Sequence, residues 1–283
     1  SRTSLLYQNA SWMMARWTAG LLDANAAQTD AWEAIFDDLV TQHREQLLPE
    51  VVGLLASLEA QVHAGIDARQ LGCWLAAAEL SYQRHAALVV PAAVQVLQGI
   101  GPGQIAHLQA ELAERNEEYR DDMLFADPGE QEDARVARYL ERIERWTGEL
   151  TEPQQQLLRQ EVAGLPDVAR PWLDYREQQQ AGLLERLRAP STAAELAHYL
   201  SVWWVDAGRR PPQLVEASSA LRAGLPRLIG ILDASLSDKQ RAHVLEQIGD
   251  LRSGLEAQHA GARAPDPPTA GICTDAKDGP PAA

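Results

Sequence analysis

Cysteine is almost missing from this chain of 283 residues: only Cys73 and Cys273 occur. Neither belongs to a CxxC pair or has a neighbouring His, which excludes the usual zinc-site and redox-motif spacings. A basic stripe is missing as well. The 25 Lys and Arg residues are outnumbered by 40 Asp and Glu, for a net charge of −15. The cations are scattered among the acids, which excludes a surface built for a nucleic-acid backbone. No apolar run reaches the roughly 18 residues of a membrane span; "HAALVVPAAVQVL" is short and holds Pro91. Period-two alternation is absent, so no β-sheet is expected. HExxH, GxSxG, P-loop and GxGxxG patterns are all lacking, and no two of the seven histidines stand at i, i+4, so neither an enzyme, a cofactor nor a metal site is expected.

What the chain does contain is helix grammar. Asp67 with Gln70 opens a segment carrying Leu71, Trp74, Leu75 and Ala78 at i, i+3, i+4 and i+7, one apolar stripe of an amphipathic helix. Asn25 with Gln28 opens another that runs to Pro49, where the chain kinks or restarts. "SWMMARWTAGLL" is a short first helix, the segment from Gly101 to Ala126 a long one, and Asp127-Pro128 caps the next. The expected fold is all-α.

The grammar also repeats. "IGPGQIAHLQ" at Ile100–Gln109 is echoed by "LSDKQRAHVL" at Leu236–Leu245, "LGCWL" by "LAHYL", and Pro91 by Pro226. The echoes come in matching order and at nearly constant offset. Each half holds four or five helices with one stripe each, too few to close a large core alone. The expectation is one domain over residues 1–263, an elongated multi-helix bundle of two pseudo-repeated halves at about 25–125 and 150–261. The Pro/Gly-rich tail, 264–283, is expected to be extended.

Few residues invite a binding role. Asn116 interrupts an apolar stripe between Leu112 and Tyr119; it either fixes helix register through a buried hydrogen bond or meets a ligand. In "YLSVWWVDAGRRPP", Trp203 and Trp204 stand where the first half has Ala78 and Glu79. With Arg209 and Arg210 they make a candidate surface for a peptide or acyl chain, against the plainer reading as core. His107 and Glu111 share a helix face but read as a surface pair. Cys73 and Cys273 make a disulfide if the compartment is oxidising, with two unrelated thiols as the alternative.

"LTEPQ" at Leu150–Gln154 and "LSDKQ" at Leu236–Gln240 resemble the LTxxQ motif of the Spy and CpxP periplasmic chaperones, with weaker echoes near Asn25 and Gly101. Over roughly Leu6 to Leu187 the chain resembles a family of uncharacterised Gram-negative lipoproteins, through "YQNASWMMARW", "HREQLLPEV", "LAERNEEYRDDM" and "RYLERIERWTGELTEPQ". It departs from that family in lacking aromatics in "TAGLLDANAAQ". The resemblance implies an exported protein with Ser1 following a lipidated cysteine, anchored to a membrane, the outer membrane facing the periplasm. It suggests a chaperone-like factor for envelope or unfolded proteins, with a structural adaptor or a carrier of an apolar ligand as alternatives. It transfers no catalytic residue.

Overall fold

The computed structural model describes residues 2–259. Over these residues the chain is all-α, with twelve α-helices, one 3-10 turn and no strand. In order they are α1 (Arg2–Gln8), α2 (Ala10–Leu22), α3 (Ala26–Gln46), α4 (Leu48–Ala64), α5 (Ala68–Gln98) and α6 (Pro102–Met123). Then come α7 (Pro128–Thr147), α8 (Glu152–Ala163), α9 (Ala169–Arg188), α10 (Ala193–Trp204), the turn Ala207–Arg209, α11 (Pro212–Ser235) and α12 (Asp238–Glu256).

Local chemistry sets the boundaries. The side chains of Asn25, Asp67, Thr192 and Ser237 each accept the backbone N–H three residues on, and Asp127 caps α7 through Gly129 and Glu130. Such caps satisfy donors that a helix start leaves open. Pro49 falls in the first turn of α4, so the chain restarts there. Pro91 and Pro226 depart from this pattern, for each lies inside a helix. Pro226 is buried and its ring lies over Gly72 of α5.

Packing is reciprocal. Helix α2 contacts α3 and α6, and α7 contacts α8 and α12. Across the chain, α4 lies against α12, α9 lies against α6, and α5 is flanked by α10 and α11. One core joins Leu22, Trp32, Phe36, Val96, Ile105 and Leu108; another joins Val136, Leu150, Leu158, Val162, Leu228 and Leu232.

Each of these cores ends in the same polar arrangement. Gln28 and Gln104, at the starts of α3 and α6, exchange side-chain hydrogen bonds of 3.0 and 3.2 Å. Gln154 and Gln240, at the starts of α8 and α12, do so at 3.0 and 2.9 Å. Every Oε1 also accepts the N–H of its own cap residue, Asn25, Gly101, Thr151 or Ser237. Every Nε2 also donates to a carbonyl just ahead of the partner helix: Gly99, Leu22, Ser235 or Glu149. All four hydrogen-bonding positions of each amide are thus filled. The chain reaches these junctions from α2 and α7 through positive φ, at Asp23 (47°) and Gly148 (76°).

Gln240→Glu separates the clasp from the cap. A glutamate accepts the Ser237 N–H as well as glutamine does, but it sets an oxygen against Gln154 Oε1 and the Glu149 carbonyl. The expected result in urea denaturation at pH 7 is a loss of about 1–3 kcal/mol or more, the cost of stranding buried polar groups. Glu195→Gln, in an exposed box outside both clasps, should cost no more than about 1 kcal/mol. Equal losses would show that the clasp contributes nothing beyond capping.

Candidate functional site

The residues singled out from the sequence do not form one surface. Asn116 is buried on α6 and donates to Gln180 Oε1 of α9 at 2.6 Å, while its own Oδ1 has no partner. Trp203 and Trp204 are part-buried against a core of Val90, Val94, Leu183, Leu196 and Leu200. They extend a tilted ladder of rings from Tyr199, with centroids 6.4 and 6.0 Å apart. Tyr199 is fixed by its bond to the Gln179 carbonyl (2.7 Å), by the Arg186 guanidinium 3.9 Å above its ring, and by Gly182, where a Cβ would strike its hydroxyl. Arg209 is exposed and pairs with Asp206 at 3.4 Å, whereas Arg210 turns onto the Trp172 ring. His107 meets the Gly20 carbonyl at 3.1 Å and stands 3.9 Å from Glu111. Cys73 is disulfide-bonded; Cys273 and the tail lie outside the described residues.

The most exposed apolar material lies elsewhere. Leu5 (63% exposed), Leu6, Trp12, Met13 and Trp17 (59%) all occur on α1 and α2. On α2 the inward positions are Ala15, Thr18 and Leu22, leaving Trp12, Met13, Arg16 and Trp17 outside. Arg16 lies 5.8 Å from the Trp12 ring and Arg115 5.6 Å from that of Trp17, cation–π contacts that orient both indoles. The 22 residues before Asp23 hold two Arg and no acid, in a chain that is otherwise strongly acidic. In the sequence "SWMMARWTAGLL" reads as a short first helix and nothing in its spacing says which face turns outward.

A second feature was not legible from spacing. Tyr7 of α1, His43 of α3 and His85 of α5 form a chain: the Tyr7 hydroxyl is 2.8 Å from His43 Nδ1, and His43 Nε2 is 3.1 Å from His85 Nε2. His85 Nδ1 stands 2.7 Å from the Ser81 carbonyl. Burial, and then the neighbouring His85, push the His43 imidazole down from its ordinary 6.5 to about 4. Burial raises the Tyr7 phenol, against the pull of Arg44.

The profile of DUF6279, a family of unknown function, matches residues 20–202, nearly two thirds of the chain. This chain belongs to that family. The DUF6279 span takes in Gln28, Gln104, Gln154, both histidines of the pair and Asn116. It leaves out Leu5 to Trp17, Trp203, Trp204, Arg209, Arg210 and Gln240. No curated protein and no solved structure matches the chain.

The His43 shift sets a pH window. Between 6.5 and about 4 the unfolded chain takes up a proton that the folded chain refuses. Stability present above 6.5 is therefore expected to fall progressively toward pH 4. Urea midpoints measured across this window should drop less steeply in His43→Gln than in the parent; parallel profiles would remove His43 as the cause.

Proposed function

We propose that this chain is a membrane-anchored periplasmic protein that binds envelope or unfolded proteins, a chaperone-like factor without enzymatic chemistry. The observation that carries the reading is the apolar strip of α1 and α2, where Leu5, Leu6, Trp12, Met13 and Trp17 stand in solvent on a helical surface. Exposed aromatic and aliphatic side chains bind many sequences, because they demand no single hydrogen-bond geometry. The LTxxQ resemblance supports the same reading, since "LTEPQ" and "LSDKQ" supply the two arms of the buried Gln154–Gln240 clasp. The pseudo-repeated halves are part of this proposal, supported by the reciprocal contacts of α4 with α12 and α9 with α6. The bonded state of Cys73 supports an oxidising compartment, and the lipid anchor and outer-membrane location rest on the lipoprotein resemblance.

One observation favours the carrier reading as a second choice. An apolar cleft of about 290 Å³ lies between α4, α7, α11 and α12, lined by Val62, Ile143, Trp146, Leu232, Leu236 and Val244. A medium-chain fatty acid that raises the melting temperature of the parent, but not of Leu236→Trp, would select it.

The chaperone-like reading is tested with a chemically denatured, unrelated protein diluted into buffer. Equimolar chain should suppress the light scattering of its aggregates. Replacing Trp12, Met13 and Trp17 together by Ser should abolish suppression while moving stability by about 1 kcal/mol or less, because surface positions contribute little. Absence of suppression by the folded, oxidised parent would reject the reading, and so would full suppression by the triple variant.

A further inference from the structure

We propose that His43 and His85 form an open two-histidine site for a late first-row divalent cation, copper(II) being the best fit. The proposal stands apart from the protein-binding reading and departs from the expectation, read from sequence spacing, that no metal site exists. Its basis is the meeting of two Nε2 atoms, from α3 and α5, 3.1 Å apart.

The outer nitrogens decide what these atoms carry. A carbonyl only accepts, so His85 Nδ1, 2.7 Å from the Ser81 oxygen, holds the ring proton. In the neutral imidazole its Nε2 then presents a lone pair toward His43. His43 Nδ1 faces the Tyr7 hydroxyl at 2.8 Å, which can accept from it in turn, leaving a second lone pair on His43 Nε2. Both imidazoles thus have a hydrogen-bond partner behind them, a carbonyl that only accepts and a phenol that can accept or donate, the kind of support that fixes ring orientation in metal-ligating histidines. Two imidazole lone pairs this close repel unless a proton is shared between the nitrogens or a cation sits beside them, off the line that joins them.

The spacing fits such a cation. With metal–nitrogen bonds of about 2.0–2.1 Å, nitrogens 3.1 Å apart subtend about 95–100° at the ion. That angle lies close to the cis angle of a tetragonal site, and imidazole is a good copper(II) ligand in a series where copper binds most tightly. The rings are tilted by 56° and are not stacked, and both are part-exposed, so water can complete the coordination. Among the described residues no group of three or more His, Cys, Asp or Glu gathers to hold a metal, so the chain would supply two ligands and solvent the others. The neighbouring cations are engaged: Arg44 lies over the Tyr7 ring, and Arg84 pairs with Glu50 at 2.7 Å.

A proton is the rival occupant. If Tyr7 donates to His43 Nδ1, then His43 Nε2–H donates to His85 Nε2 and no metal is needed. Calorimetric titration of the tag-free, chelator-stripped full chain with copper(II), and separately zinc(II), near pH 7.5 distinguishes the two. The expected result is one copper(II) per chain, bound more tightly than zinc. His43→Ala and His85→Ala should each weaken binding at least about tenfold, and Tyr7→Phe, which removes an outer-shell partner, by about tenfold, with His107→Ala unchanged. No saturable copper binding by the parent, or binding undiminished in both alanine variants, overturns the site. If the alanine variants fail to fold, imidazole NMR of the parent decides the matter. Substoichiometric copper(II) should broaden His43 and His85 first, and selective broadening of any other histidine overturns the proposal.

Discussion

Four glutamine side chains settle how α3, α6, α8 and α12 start, and through that how those helices meet in pairs. A helix N-terminus carries backbone N–H groups with no partner of their own, and bringing two such ends together in an apolar core should be unfavourable. Here each Gln accepts the N–H of its own cap residue with Oε1 and donates with Nε2 to a carbonyl just ahead of the opposite helix, so one side chain serves its own helix start and ties it to the other. Glutamate could supply only the first half of that arrangement. The requirement for a side chain that both donates and accepts is therefore a constraint of the junction, separate from helix propensity.

The clasps pin α3 to α6 and α8 to α12, and another set of contacts ties α4 and α5 to α11 and α12. Asp233, buried at the end of α11, accepts the Ile66 backbone N–H at 2.9 Å and Arg241 Nη1 at 2.7 Å. The same guanidinium donates to the Val62 and Asp233 carbonyls. The α4–α5 connection is thereby fastened to the α11–α12 junction. A carboxylate at this depth is tolerable only because it is paired and hydrogen-bonded, so the contact between α4 and α12 has polar specificity besides apolar area.

What could be read from the sequence was local. The caps at Asn25, Asp67 and Asp127 are patterns two or three residues long, and the structure has each of them. The restart at Pro49 was legible for the same reason. Pairing was not. Gln154 meets Gln240, and His43 meets His85, across separate helices, and no spacing rule relates such residues. Helix α1 was missed as well, for its seven residues bury nothing and so carry no stripe to detect.

That helix shows where the scaffold is least committed. Where α2 to α12 contribute to apolar cores, α1 buries no residue and lies along α12; among its contacts are hydrogen bonds of Tyr7 to His43 and of Gln258 to the Ser4 hydroxyl. Hydrogen bonds of this kind contribute about 1 kcal/mol each, so elements attached mainly by them occupy the low end of local stability. Leu5 and Leu6 remain outside while a polar tyrosine makes the inward contact, the reverse of the usual distribution. A helix tethered through an imidazole can be tightened or loosened by whatever that imidazole binds. One anchored by leucines would respond only to unfolding of the core beneath it.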